Sequence, residues 1–224
     1  MKQIYIIIIF LLVSFSFVSC SEEQHYTNKS FGYFSISNLF LSCDEEVHPL
    51  VRAVDTSLQL QICQGGEIIK DYAPGEDLSK RIVLPVGEYT LKTFTPDQSE
   101  AVNGQIGVPV YEIISSFEVR EGDITSISLV VPQVNVGVCV NVSDEFKVNF
   151  HNLSVTIASV TGRSIVISDI DTLSPYYYFA IPSDGKLKYT VTAYNADEEE
   201  MTLTKEIVDI VSAKNYSIHL DLSN

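Results

Sequence analysis

Four histidines are the obvious candidates for acid–base chemistry, and their distribution argues against it. His25, His48, His151 and His219 lie far apart, none beside a serine or cysteine in a nucleophile motif. No G-x-S-x-G, H-E-x-x-H or glycine-rich phosphate loop occurs. The chain therefore reads as a non-enzyme with neither cofactor nor metal centre. Cys43, Cys63 and Cys139 with so few histidines make no recognisable zinc set. A Cys43–Cys63 bridge is conceivable in an oxidising compartment but leaves Cys139 without a mate. All three read more simply as small buried apolar residues. The acidic runs 168–172 and 197–200 offer carboxylates to calcium, yet neither has the spacing or central glycine of an EF-hand loop, so both read as solvated loops.

What remains is chemistry of binding. Pro175-Tyr176-Tyr177-Tyr178-Phe179-Ala180-Ile181 is the most aromatic stretch. As a strand it would turn Tyr177, Phe179 and Ile181 to the core and Tyr176 and Tyr178 to the other face. Tyrosines on an open face suit stacking on sugars or peptides, which makes Tyr176 and Tyr178 the candidate binding residues, although tyrosine is also an ordinary sheet residue.

Cys20 carries a different kind of chemistry. Met1-Lys2-Gln3 supplies one positive charge, Ile4 to Val18 are uncharged and mostly apolar, and Phe17-Val18-Ser19-Cys20 closes the run. This is a secretory signal with a lipoprotein-type cleavage site, its apolar core too short to span a hydrocarbon layer of about 30 Å comfortably. The closing tetrapeptide resembles the bacterial lipobox, with Phe17 in place of leucine. That resemblance implies cleavage after residue 19 and thioether lipidation and acylation (palmitate-type chains) of Cys20. The acidic Ser21-Glu22-Glu23 that follows is similar to surface-export signals of lipoproteins from Gram-negative gut and oral commensals. The expected location is the outer membrane, lipid-anchored and facing outward.

Loss of Lys2 leaves 13 of the 14 Lys+Arg against 29 Asp+Glu. So acidic a chain repels phosphate backbones, which excludes nucleic acid as a partner.

The elements that must position any site are strands. From Gly32 onward apolar residues recur with period two, as in Leu58 to Ile62, Tyr89 to Phe94, Ser154 to Ile157, Lys188 to Tyr194 and Tyr216 to Leu222. Strands this short and numerous make an all-β sandwich or barrel of Greek-key type. The plan occurs twice. Ile82 to Leu91 parallels Ala180 to Val191, each a strand, a Pro/Gly turn and a long alternating strand. Each half then closes in two strands, 117–131 and 206–222, which read as paired hairpin units. Residues 205–211 also carry helical spacing, but alignment with the first half assigns them to a strand. The organisation is thus signal peptide 1–19, lipidated tether 20–30, and two β-sandwich domains, 31–132 and 133–224.

Gly32 to Ile36, Leu84-Pro85-Val86-Gly87-Glu88-Tyr89-Thr90, Pro109-Val110-Tyr111 and Phe117 to Asp123 together resemble a domain-of-unknown-function family of surface lipoproteins. That family is related to fimbrillin-like cell-adhesion proteins, and the resemblance implies two tandem transthyretin-like (Ig-like) β-sandwiches. It implies a surface-exposed, non-catalytic adhesion-type or pilus-associated protein, an anchor or accessory subunit. The alternative is a glycan-binding lipoprotein of a nutrient-uptake complex. In related pilus subunits, cleavage in a loop such as that holding Arg52 frees the first strand for exchange between subunits. Arg52 is therefore the candidate processing site, and oligomerisation by strand exchange is possible but disfavoured, because the last strand ends two residues from the terminus. A protein or glycan ligand and the membrane are the implied partners.

Overall fold

The computed structural model describes residues 30–43, 46–49, 58–168 and 176–222. Strands dominate, as the period-two patterning requires. The first half supplies β1 (Phe31–Cys43), β2 (Glu46–Pro49), β3 (Gln59–Gln64), β4 (Glu67–Tyr72), β5 (Ile82–Pro85), β6 (Gly87–Phe94), β7 (Glu112–Val119) and β8 (Ile124–Pro132). The second supplies β9 (Val136–Val142), α1 (Asp144–Asn149), β10 (His151–Ser159), β11 (Ser164–Ile167), β12 (Tyr177–Phe179), β13 (Leu187–Tyr194), β14 (Glu200–Ile207) and β15 (Asn215–Leu220). No helix among the described residues is long and apolar enough to cross a membrane.

One strand order is used twice. In the first half β5, β1 and β8 form one sheet, with β2 continuing along the β5 edge of β1, and β4-β3-β6-β7 form the other. The second half repeats this as β12-β9-β15 and β11-β10-β13-β14. In both, the first and last strands pair in parallel, β1 with β8 and β9 with β15, while the other pairings are antiparallel. Each pair of sheets encloses its own apolar cluster. Phe34, Leu60, Leu84, Leu91, Phe117 and Val131 fill the first, and Val136, Ile157, Phe179, Leu187, Val191 and Ile218 the second. These are the inward members of alternating strands, as on β6, where Tyr89, Leu91 and Thr93 are buried and Glu88 is exposed.

Three readings change. Strands 117–131 and 206–222 are not hairpins: β7 pairs with β6 and β8 with β1, so the turn at Glu121-Gly122-Asp123 carries the chain across the sandwich. Period two identifies the inward face of a strand and is silent about its neighbour. The strand corresponding to Ile82–Pro85 is Tyr177–Phe179, which ends before Ala180-Ile181. Finally, no disulfide joins the described cysteines to one another, and only Cys139 is buried, Cys43 and Cys63 being half-buried. Residues 205–207 are strand, and the helically spaced remainder leaves the sheet.

Gly32 and Gly137 sit early in the first strand of each half and have no room for a side chain. A Cβ on Gly32 would lie 2.1 Å from the Arg120 carbonyl oxygen, and one on Gly137 2.4 Å from Asn215 Oδ1, which accepts the Gly137 amide at 3.0 Å. Only glycine permits these approaches.

The halves are locked together by a loop. Residues 95–111, between β6 and β7, reach over the second half, where Arg163 receives them. Arg163 is 4 % exposed; its Nε donates to the Ala101 carbonyl and an Nη to that of Gln105, both at 2.7 Å, and its guanidinium lies 4.2 Å from the centroid of Phe179. Gly104 donates to the Ser164 carbonyl, Ser164 to Asn103 Oδ1, Ala180 to Glu100 Oε1 and Tyr178 to the Ile106 carbonyl. The connector is pinned too: Val134 donates to the Val110 carbonyl and Val110 to Asn135 Oδ1.

Candidate binding groove

A groove opens at the mouth of the first sandwich, where the sheet-edge strands β4 and β5 face one another across the 73–81 connection. It encloses about 350 Å³ and is lined by Lys70, Tyr72, Asp77, Lys80, Arg81 and Val83, with Leu78 and Ile82 beneath. Register explains why β4 contributes Lys70 and Tyr72. They pair with Ile62 and Leu60, which are buried, so both stand on the inner face of the edge strand. Asp71 points outward and accepts hydrogen bonds from the side-chain amides of Gln59 (2.7 Å) and Gln61 (3.3 Å). Tyr72, Leu78 and Ile82 pack partly against the core cluster. The groove thus has an apolar floor and a cationic rim.

The connection is held by local capping. Ala73 donates to Glu76 Oε1 at 3.0 Å, and Ser79 to Asp77 Oδ1 at 2.9 Å. Hydrogen bonds from Ser79, reinforced by the charge of Lys80, hold the Asp77 carboxyl below the usual carboxylate range. Burial, then the nearby Glu76, push the Tyr72 hydroxyl up. Among the described residues, Lys70, Lys80 and Arg81 enter no ion pair within 4 Å. All three are exposed residues in a chain of net charge −15. A second depression of about 380 Å³ lies over β6 and β7, but Glu88 and Glu118 line it and no cation does.

Tyr176 and Tyr178 are brought together, ring centroids 6.4 Å apart, and both are half-buried. Tyr177 and Phe179 are buried in the core beside them, in line with the alternation. Tyr178 lies under the 95–111 loop: a Cβ on Gly107 would be 3.3 Å from its Cβ, and burial, with Tyr111 nearby, pushes its hydroxyl up to about 12. It contributes to the joint between the halves. His151 Nε2 is 3.4 Å from Glu198 on the surface, and His219 is exposed on β15. Asp197 to Glu199 belong to a turn tied by Asn195, which accepts from the Asp197 and Glu199 amides, and Glu200 opens β14. Among the described residues no group of three His, Cys, Asp or Glu side chains could hold a metal. Cys20, Arg52 and residues 169–175 lie outside the described residues.

Sequence reasoning missed the groove. Three cations within residues 70–81 of so acidic a chain were the available signal, but acidic residues interleave with them, and only the connection between opposite sheet edges gathers Lys70 with Lys80 and Arg81.

No curated protein matches the sequence. Among solved structures it is similar to a candidate polysaccharide-binding protein from Bacteroides thetaiotaomicron, at 9 % identity and TM-score 0.49 over 86 % of this chain and 92 % of that one. It is likewise similar to a candidate cell-adhesion protein from Bacteroides uniformis, at 11 % identity and TM-score 0.47 over 84 % and 93 %. A candidate cell-adhesion protein from Bacteroides thetaiotaomicron aligns at 13 % identity and TM-score 0.44 over 85 % and 92 %. Residues 32–224 match the family DUF4493. The chain belongs to that family, a domain of unknown function, which spans both halves described above.

Proposed function

We propose that this protein is a surface-displayed, non-catalytic binder that takes a carboxylated or sulfated glycan in the groove between β4 and β5. The observation that carries the reading is the cationic rim of Lys70, Lys80 and Arg81 over the half-buried Tyr72 in an otherwise acidic molecule. A tyrosine ring offers a stacking surface for a sugar, and guanidinium and ammonium groups match carboxylate or sulfate oxygens. The mature chain would be an anchor-type adhesion protein held at the outer membrane through Cys20 and built of two domains meeting at residues 132–133. Two separate apolar clusters and sheets that share no strand support that division. Removal of residues 1–19 and lipidation of Cys20 follow from the signal-like N-terminus; Cys20→Ala would abolish palmitate labelling and release the protein from the membrane fraction.

The ligand is tested by calorimetry with polygalacturonate against neutral dextran, using the mature chain and a Lys70→Glu/Lys80→Glu/Arg81→Glu variant. Exposed charge contacts contribute about 0.2–1 kcal/mol each, so reversing three should weaken binding by about tenfold or more. Binding should also fall steeply with salt. Equal affinity for both polymers, or an unchanged affinity in the triple variant, would remove the groove from consideration.

A further inference from the structure

β14 is an edge strand whose two faces differ in a way that identifies a partner. On its even-numbered face, polar side chains are tied to β13 or the turn before it: Glu200 accepts from the Tyr194 hydroxyl at 2.8 Å, Thr204 meets Thr190 at 3.1 Å and Glu206 pairs with Lys186 at 3.1 Å. On the odd face, Met201 and Leu203 stand in register with buried Ala193 and Val191, so they point to the inner side of the sheet. Yet they are 51 % and 45 % exposed and belong to neither apolar cluster. The opposing sheet, β12-β9-β15, is one strand narrower than β11-β10-β13-β14. The chain after Ile207 runs on to β15 and buries Ile210 in the second cluster. Among the described residues, the other backbone edge of β14 has no strand beside it.

Such an edge is a template for another strand. The residues of β14 themselves select which. In antiparallel self-pairing about a two-fold axis, facing residues share a face only when their numbers sum to an even value, so an odd sum would set inner side chains against outer ones. With Leu203 on the axis, Glu200 faces Glu206 of the second copy and Met201 faces Lys205. With Thr204 on the axis, Leu203 faces Lys205. With Thr202 on the axis, Met201 faces Leu203 twice, Glu200 faces Thr204 twice, and Glu199 faces Lys205 twice. In that register Glu198 and Glu206 also meet, but each already has a cation-capable partner, His151 and Lys186. Lys205, an inward-facing charge of the kind that guards sheet edges, thus opposes the registers centred on Leu203 and Thr204 and is complemented in this one.

We propose that β14 pairs antiparallel with β14 of a second copy, with Thr202 on the two-fold axis, joining the two second-half sheets into one and covering Met201 and Leu203. This surface is independent of the groove and of the ligand assigned to it.

The test uses the mature chain. Sedimentation should give a concentration-dependent dimer, and Leu203→Lys should raise its dissociation constant by about tenfold or more, since each copy would lose an apolar cross-strand contact twice. Under oxidation Thr202→Cys should give a reducible dimer absent from the unsubstituted chain, because facing Cα atoms lie about 4.5–5.5 Å apart, within disulfide reach. Leu203→Cys and Thr204→Cys should not cross-link, since their copies lie more than about 7 Å apart in this register. A monomer at all concentrations overturns the proposal. So does cross-linking through position 203 or 204 in place of 202, which would place a different residue on the axis.

Discussion

The connections between β6 and β7 and between β13 and β14 occupy the same place in a repeated plan and have opposite consequences. The first runs through residues 95–111 and becomes a clasp, its carbonyls received by Arg163 and its Gly107 seated against Tyr178. The second is a tight turn at 195–199, closed by Asn195 and Glu199 on each other. The strands that follow differ accordingly. β7 turns Phe117 and Val119 into a filled core, whereas β14 leaves Met201 and Leu203 exposed. A duplicated fold thus diverges at a loop and at the breadth of the facing sheet while its strand order is kept, because surface loops tolerate length changes that ladders do not.

The largest test of this contrast is Arg163→Ala. It removes two short charge-assisted hydrogen bonds and a ring contact and takes the donor from the Ala101 and Gln105 carbonyls, so stability should fall by about 3 kcal/mol in a denaturant titration. Hydrogen exchange should accelerate at the Gly104 and Tyr178 amides, whose acceptors span the joint. A loss under about 0.5 kcal/mol would mean that the long loop merely rests on its neighbour.

A smaller effect comes from Tyr178. Burial raises its hydroxyl to about 12, so the fold favours the neutral form. Its contribution is complete below the ordinary tyrosine value near pH 10 and is lost as pH rises to about 12. Because the side chain is only half-buried, the loss should be about 1 kcal/mol, read from denaturation midpoints across that window. Tyr178→Phe should flatten the dependence; an unchanged slope would remove Tyr178 from the joint's energetics.

The smallest test compares the two cores directly. Thr93 on β6 is fully buried with no hydrogen-bond partner for its Oγ1 among the described residues, and the matching position on β13 is the buried Ala193. Thr93→Val keeps the shape and removes the unpaired hydroxyl, so stability should rise by about 0.5–1 kcal/mol in calorimetry. A destabilised variant would show that the hydroxyl is satisfied in solution.

Much of this was available in the residue order. Alternation in Tyr89 to Phe94 and Lys188 to Tyr194 marked the strands and their buried faces, and the turns Pro85-Val86-Gly87 and Pro182 to Gly185 marked the repeat. Cys139 in a valine-rich run was legible as a core residue, as was His219 as an outward one. β9 is harder to read, because Val136 to Cys139 are all buried and no alternation survives in a strand covered on both faces.

Sequence by itself determined what depends on neighbours within a few residues: strands, turns, inward faces, the acidic balance and a signal-like N-terminus. Tertiary structure alone decided what depends on contacts between distant residues. It paired the first strand of each half in parallel with the last, sent residues 117–131 across the sandwich, buried Arg163 against Phe179 and gathered Lys70 with Lys80 and Arg81. The physical reason is that periodicity records how one chain segment meets solvent, while the choice among possible strand partners rests on the whole set of packed sheets.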